Sequence, residues 1–252
     1  MKFPDIIIIG GPRCGTTALW YNIDKHPRIN MAQPEDEKIE MFFWRMKRWN
    51  LGIDWYKSRF SNEISGEKTT GYYANKNIMK IISKNIPDVK LIFCLRNPVD
   101  RAFSNYLMNK RGRRVSQTYD YNLLRKRYFN DGKYITHIKN NILPFFDSMQ
   151  MKICILEYMK KDLTSEMKKV FDFIGVEDLN YKSKKVSVPL VRPGRTRIQD
   201  IEISRKEKFY RYWSTSNEKL KGSVRKQSLE YFKPHNEKLF NYLGYKIDEW
   251  SN

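Results

Sequence analysis

The residues best suited to chemistry stand near the start of the chain, in a glycine-rich turn. Residues 10–17 read GGPRCGTT, and they follow four consecutive isoleucines and precede a segment with helical spacing of apolar residues. In such a turn, free backbone N–H groups and the dipole of the following helix converge on an anion. Phosphate or sulfate binding is therefore the first function that the sequence predicts. An ordinary turn between a strand and a helix is the alternative.

The same turn lacks the lysine of a nucleotide-hydrolysing P-loop. That motif reads G-x-x-x-x-G-K-[ST]; Gly10, Gly15 and Thr17 match it, but Thr16 occupies the lysine position. Arg13 can instead supply a fixed positive charge and a planar set of donors. The sequence therefore favours anion binding without standard ATP hydrolysis, and a P-loop kinase that uses ATP stays an alternative.

A second cationic position follows a later predicted strand. Arg96 comes directly after the apolar run Leu91–Leu95, at a carboxyl end, where ligands of open α/β sheets bind. Ser104 lies in the helix predicted for residues 99–109 and should face the same crevice. An arginine at this strand end, in place of an acidic residue, favours phosphate binding over Mg²⁺ binding.

Together these stretches resemble the sulfotransferases that use 3'-phosphoadenosine 5'-phosphosulfate (PAPS). GGPRCGTTALW is similar to the family's 5'-phosphosulfate loop, and LIFCLRNPVDRAFSNY is similar to its 3'-phosphate element. The resemblance extends over most of the chain through four further segments: EMFFWRMKRWNLGIDWY, GEKTTGYY, RPGRTR and KPHNEKLFNYLG. It is closest to the heparan-sulfate and related carbohydrate sulfotransferases, although the cysteines that those enzymes often place around the RPGRTR loop are absent here.

The resemblance implies roles for particular residues. One set would bind the donor PAPS and its product 3',5'-ADP, with Arg96 and Ser104 at the 3'-phosphate: Arg13, Cys14, Gly15, Thr16, Thr17, Ala18, Arg96, Ser104, Gly194 and Arg195. Glu40 would be the general base, and Glu37 is the alternative for that role. Lys68 would approach the bridging oxygen of the leaving phosphate, while Arg13 steadies the phosphosulfate.

The resemblance also implies an in-line transfer of the sulfonate group to an acceptor hydroxyl or amine. A carbohydrate acceptor is expected first, and a small-molecule alcohol or amine is the alternative. The formal charge of +20 favours anionic partners such as an anionic glycan, although scattered surface lysines explain such a charge equally well. A non-enzymatic polyanion-binding protein is therefore a further alternative. We expect no nucleic-acid partner and no metal requirement, while the oligomeric state does not follow from the sequence.

The elements around these residues predict an α/β fold class. Strand candidates at residues 5–10, 89–95 and 152–156 are each followed by a helix-like stretch, at 16–24, 99–109 and 163–174. This alternation indicates a central parallel sheet flanked by helices, with a P-loop-like phosphate-binding loop.

Composition sets the remaining expectations. A chain of 252 residues with 40% hydrophobic content fits one sulfotransferase domain, residues 1–252. The opening apolar run is too short for a signal peptide or a membrane span, so we expect a cytoplasmic protein with no membrane span. Cys14, Cys94 and Cys154 stand singly, which indicates neither a disulfide framework nor a zinc site.

Overall fold

The computed structural model describes residues 1–32, 42–43, 49–60, 63–177 and 218–251. Its centre is a sheet of five strands in the order β2-β3-β1-β4-β5. The strands are β1 (Ile6–Ile8), β2 (Ile29–Met31), β3 (Ile64–Lys68), β4 (Lys90–Leu95) and β5 (Met151–Ile155). Each pairing between neighbouring strands is parallel, which confirms the predicted α/β fold class.

Helices flank the sheet and connect its strands. In the described part of the chain they are α1 (Thr16–Asp24), α2 (Ile53–Lys57), α3 (Lys76–Asn85), α4 (Pro98–Arg111), α5 (Tyr121–Tyr128), α6 (Tyr134–His137), α7 (Leu156–Lys161), α8 (Leu163–Ile174) and α9 (Gly222–Leu243). The predicted helices at 16–24 and 163–174 have the bounds of α1 and α8. Within the described ranges, no helix has the length and apolar character needed to cross a bilayer.

Two central strands follow from runs of apolar residues. Ile6–Ile8 of β1 are fully buried, and β4 is buried from Leu91 to Leu95. A strand covered on both faces has no solvent side on which polar residues could alternate with apolar ones. The two strands pair in parallel, with Ile6 opposite Lys90 and Ile8 opposite Ile92. The turns that follow these two strands are therefore neighbours.

The strand order places a switch point between β1 and β4. The chain leaving β1 passes through α1 to β2 on one side of the sheet, whereas the chain leaving β4 leads to β5 on the other side. Loops that diverge in this way open a crevice at the carboxyl ends of the two strands. The glycine-rich turn and Arg96 both border this crevice.

Helix α4, which carries Ser104, is fixed at its start and along its inner face. The side chain of Asn97 caps it by accepting hydrogen bonds from the N–H groups of Val99 and Asp100, at 3.0 and 3.4 Å. Its apolar face packs with α5 and α9 in a cluster separate from the sheet core: Val99, Ala102, Phe103, Tyr106, Val115, Tyr119, Leu124, Tyr128, Phe129 and Phe232. The position of Ser104 therefore depends on the link between β4 and α4 and on this second cluster.

Candidate active site

The turn after β1 has the backbone geometry of a tight loop that opens a helix. Gly15 is the N-cap of α1 with a φ of 84°, a conformation that favours glycine. Gly10 has no room for a side chain, because a Cβ there would lie 2.5 Å from the backbone nitrogen of Cys94. Arg13 also has a positive φ, 73°, which is uncommon for a residue with a side chain. The N-terminus of α1 therefore opens directly onto the crevice.

We expect Gly10→Ala to lower the melting temperature. The added methyl group forces the β1 turn away from β4, and overpacking of this kind costs about 1–3 kcal/mol. For a chain of this length, that corresponds to about 2–12 °C in differential scanning calorimetry. Gly222→Ala is the matched control, because a Cβ at Gly222 would meet nothing within 4 Å. Equal melting temperatures for the two variants would contradict the close approach.

Cys14 supports the turn from below. Its Sγ is buried and lies 3.7 Å from the hydroxyl of Tyr134, and its N–H donates to the carbonyl oxygen of Gly11 at 3.2 Å. Burial raises the pKa of the Cys14 thiol to about 11. The thiol is therefore neutral at physiological pH and places no negative charge against a bound anion.

Side chains from both elements of the crevice meet in one pocket. Nε of Arg13 donates a hydrogen bond to Oγ of Ser104 at 2.9 Å, and Nη1 of Arg96 donates to the carbonyl oxygen of Arg13 at 3.3 Å. The pocket encloses about 180 Å³ and is lined by Arg13, Arg96, Asp100, Phe103, Ser104, Leu107, Arg111 and Glu218. The structure thus brings together three residues that the sequence singled out.

The position of the Arg13 side chain differs from the sequence interpretation. The resemblance assigned Arg13 to the phosphosulfate, whereas its guanidinium reaches Ser104, in the element assigned to the 3'-phosphate. A loop motif constrains the backbone, but it does not determine where a long side chain points. The arginine therefore links the two predicted phosphate elements.

Positive charge is concentrated in this pocket. Burial, followed by the charges of Arg96 and Arg111, lowers the pKa of the Arg13 guanidinium to about 10. Arg13 is still protonated at neutral pH, but its charge is held at an energetic cost. A bound anion would offset both the burial and the repulsion between the arginines.

Two carboxylates at the rim of the pocket form ion pairs. Asp100 pairs with Arg225 at 2.6 Å, and Glu218 pairs with Lys110 at 3.2 Å. Both pairs join α4 to the segment at the start of α9. Partly exposed pairs contribute little stability, so these contacts link the two elements without adding much to the stability of the fold.

Arg111 is a pocket residue whose role the sequence left open. It lies in the basic segment KRGRR, residues 110–114, whose sequence is compatible with an acceptor groove or with a solvated helix end, and the structure places Arg111 on the pocket wall. The signal was present in the spacing, because Ser104, Leu107 and Arg111 follow one another at intervals of three and four residues, which share a helix face.

Lys68 lies at the same edge of the sheet as the glycine-rich turn. It ends β3, is partly buried, and stands in register with Ile8, the last residue of β1. The carboxylate of Glu67 is buried and accepts hydrogen bonds from the hydroxyls of Tyr56 and Thr69, at 2.9 and 3.1 Å. These bonds fix the strand end that carries Lys68.

Four predicted residues lie outside the described part of the chain: Glu40, Glu37, Gly194 and Arg195. Phe42 and Phe43, shortly after Glu40, are described and buried. The N–H of Phe43 donates to the hydroxyl of Tyr72 at 3.2 Å. This part of the chain is thereby anchored beside the turn that follows β3.

A larger cavity of about 370 Å³ lies at the opposite, amino end of the sheet. Its lining includes Asp5, Ile64 and Lys90, which lie at or just before the starts of three strands. Ligands of open α/β sheets bind at the carboxyl ends, so we assign the site to the smaller pocket. Among the described residues, no group of three or more His, Cys, Asp or Glu could hold a metal ion.

The sheet order, the glycine-rich turn and the pocket define a P-loop-like α/β protein with a cationic pocket at its switch point. A family model described as "Sulfotransferase domain" matches residues 3–235. The chain therefore belongs to the sulfotransferase family. This finding confirms both the resemblance drawn from the sequence and the predicted enzyme class.

Curated relatives include heparan sulfate enzymes. The chain is 26% identical over 281 residues to the human bifunctional heparan sulfate N-deacetylase/N-sulfotransferase 3, covering 99% of this chain and 31% of that protein. It is also 26% identical over 282 residues to the mouse bifunctional heparan sulfate N-deacetylase/N-sulfotransferase 1, with the same coverage of each. The chain thus spans about a third of the length of these relatives.

Solved structures share the fold. A sulfotransferase from Alicyclobacillus acidocaldarius has a TM-score of 0.72 and 20% sequence identity, with full coverage of both chains. The mouse sulfotransferase SULT7A1 complexed with PAP has a TM-score of 0.58 and 14% identity, over 92% of this chain and 83% of that chain.

Proposed function

We propose that this chain transfers a sulfonate group from PAPS to an acceptor hydroxyl or amine, and that residues 1–252 form the one domain that does so. The observation that carries the proposal is the pocket at the switch point, where Arg13, Arg96 and Ser104 are joined by hydrogen bonds. The chain's membership in the sulfotransferase family supports the same class of reaction.

The pocket residues fit a phosphate group. Nε of Arg96 is buried and has no hydrogen-bond partner among the described residues. Buried polar groups are normally paired, and a phosphate oxygen would supply the missing acceptor. Arg13 and Ser104 add further donors, and those from arginine are charge-assisted. At about 180 Å³, the pocket is below the roughly 300–1,000 Å³ of a small-molecule site, so it suits the 3'-phosphate alone.

The start of α1 suits the second anionic group, the 5'-phosphosulfate. Gly15, Thr16, Thr17 and Ala18 bring backbone N–H groups to the first turn of the helix, where such groups lack partners within the helix. Cys14 contributes by shaping the turn, since its own N–H is bonded to Gly11. Gly194 and Arg195 are proposed to complete the 3'-phosphate site.

The chemistry divides among few side chains. PAPS supplies the sulfonate group and leaves as 3',5'-ADP. Glu40, or Glu37 as the alternative, takes the acceptor proton. Lys68 stabilises the negative charge that develops on the departing phosphate oxygen. Arg13 and Arg96 hold the nucleotide so that the acceptor attacks in line.

We further propose a carbohydrate acceptor. Proteins named as heparan sulfate N-sulfotransferases match almost the whole chain, and the formal charge of +20 suits an anionic glycan. Screening acceptors with labelled PAPS tests this proposal, and sulfation of small alcohols or amines alone would contradict it.

A cytoplasmic location and independence of metal stay predictions. Activity in the presence of EDTA tests the independence of metal.

Thermal unfolding with ligands tests the donor. A ligand that binds only the folded state raises the melting temperature, and we expect this from 3',5'-ADP and not from ATP with Mg²⁺. The reverse result would favour a kinase. Salt-sensitive affinity for polyanions without a response to 3',5'-ADP would favour a polyanion-binding protein.

Arg96→Gln should weaken binding of 3',5'-ADP about 10- to 100-fold. The reason is that hydrogen bonds to charged groups contribute about 1.5–3 kcal/mol. Isothermal titration calorimetry measures the loss. Arg127→Gln removes the same charge from an exposed position on α5 and should bind like the wild type. Equal losses in the two variants would mean that affinity follows net charge and not this pocket.

A further inference from the structure

The peptide group between Arg96 and Asn97 is hydrogen-bonded on both sides. The hydroxyl of Tyr134 donates to the carbonyl oxygen of Arg96 at 2.7 Å. The N–H of Asn97 donates to Oε1 of Glu157 at 3.1 Å. Because this carbonyl and this N–H belong to one planar amide, Tyr134 and Glu157 together fix the orientation of the link between β4 and α4.

This amide connects the two halves of the pocket. Arg96 lies on one side of it, and its guanidinium reaches the turn after β1. Asn97 lies on the other side and caps α4, the helix that carries Ser104. A rotation of the amide would therefore move the arginine and the start of the helix relative to each other.

Glu157 is itself held in place from its outer side. Its Oε2 accepts a hydrogen bond from Nε1 of Trp250 at 3.1 Å, and Trp250 is buried. The preceding Leu156 packs under the glycine-rich turn, since a Cβ on Gly15 would lie 2.6 Å from its Cδ1. The start of α7 thus supports both the amide and the turn.

Tyr134 also contacts both the Arg96–Asn97 amide and the glycine-rich turn. Besides the bond to Arg96, its hydroxyl lies 3.7 Å from Sγ of Cys14. Burial raises the pKa of Tyr134 well above its usual value, so the hydroxyl keeps its proton and remains a donor. We use the name amide clamp for Tyr134, Glu157 and Trp250.

We propose that Tyr134 and Glu157 are positioning residues of the nucleotide site. They hold the Arg96–Asn97 amide in the one orientation in which Arg96 and Ser104 meet the same phosphate. Neither residue lines the pocket, so they act through the main chain. The inference rests on the proposed function, because it concerns the same site.

The charge of Glu157 makes the inference distinguishable from simple electrostatics. Neutralising an acidic residue near a cationic pocket should strengthen anion binding if charge alone decides. The amide clamp predicts weaker binding for Glu157→Gln, because one amide oxygen replaces two carboxylate oxygens that serve two N–H donors. The sign of the change in affinity therefore separates the two explanations.

Tyr134→Phe tests the clamp most cleanly, because it deletes one hydroxyl. We expect the Kd for 3',5'-ADP and the KM for PAPS to rise about 3- to 10-fold, with kcat within about twofold. Tyr106→Phe is the matched control, since it deletes a buried hydroxyl that donates to the carbonyl of Gln117 at 3.1 Å, away from the clamp. A merely structural role would lower the melting temperature of both variants and leave KM unchanged.

The binding results distinguish a failure of the amide clamp from a failure of the proposed function. No binding of 3',5'-ADP by the wild type would overturn the proposed function and the clamp with it. Binding by the wild type, with equal affinity in Tyr134→Phe and Glu157→Gln, would overturn the clamp alone. Should Tyr134→Phe fail to fold, Trp250→Phe removes the outer donor to Glu157, together with part of a buried ring that packs on Tyr134 and Phe240. It should raise the Kd by about 2- to 5-fold, and an unchanged Kd would overturn the clamp.

Discussion

Lys68→Met should reduce turnover about 10²- to 10³-fold while the affinity for 3',5'-ADP falls far less. Lys68 ends β3 at the carboxyl edge of the sheet, in register with the last residue of β1. A cation there acts mainly on charge that develops in the transition state. In the proposed site, the nucleotide is held mostly by Arg96, Ser104 and the start of α1. Single-turnover kinetics with saturating PAPS isolate the transfer step.

Lys90→Met is the control for the Lys68 variant. Lys90 starts β4 at the opposite, amino edge of the sheet, where its Nζ donates to the carbonyl oxygen of Ile174 at 2.8 Å. Its loss should affect stability and leave the transfer rate unchanged. Wild-type turnover in Lys68→Met would contradict the proposed role at the leaving group.

Glu40→Gln should lower turnover at least about a hundredfold while leaving the affinity for 3',5'-ADP unchanged. A general base contributes about 10²- to 10⁴-fold in rate, and glutamine is similar in size but cannot accept the proton. Phe42 and Phe43, two and three residues after Glu40, are buried, and the N–H of Phe43 donates to Tyr72 in the turn after β3, which begins at Lys68. Steady-state rates with a sulfatable acceptor measure the effect.

Glu37→Gln and Glu63→Gln complete the test of the base. Glu63 is exposed just before β3, and its substitution should leave the rate at the wild-type value. A large loss in Glu37→Gln with normal turnover in Glu40→Gln would move the base to Glu37. Normal turnover in both variants would contradict a base in this segment.

The central strands could be predicted from sequence, and two others could not. β1 and β4 are continuous apolar runs because both of their faces are covered. β2 and β3 read INM and ISGEK, in which polar residues interrupt the apolar pattern. β3 is nevertheless buried, since the Glu67 carboxylate is bonded to Tyr56 and Thr69. Tyr56 and Thr69 both lie outside the strand, 11 residues before and two residues after Glu67, so this pairing leaves no periodicity in the strand itself.

In the site, too, some residues could be predicted from the sequence and others could not. Arg96 was predictable because it ends a strand at the crevice, and Ser104 was identified through the resemblance to the family's 3'-phosphate element and lies on the helix that follows. The clamp residues Tyr134 and Glu157 were missed because they bind backbone atoms 38 and 60 residues away along the chain. A hydrogen bond to a main-chain group places no requirement on the residue type of its partner, so no motif marks it.

We propose above all that Arg96 and Ser104 hold the 3'-phosphate of a sulfated nucleotide whose 5' end lies at the start of α1. A crystal structure of the complex with 3',5'-ADP tests it most directly. We predict the 3'-phosphate between the Arg96 guanidinium and the Ser104 hydroxyl, and the 5'-phosphate against the N–H groups of Gly15 to Ala18. A nucleotide bound elsewhere, with both positions empty, would contradict the account.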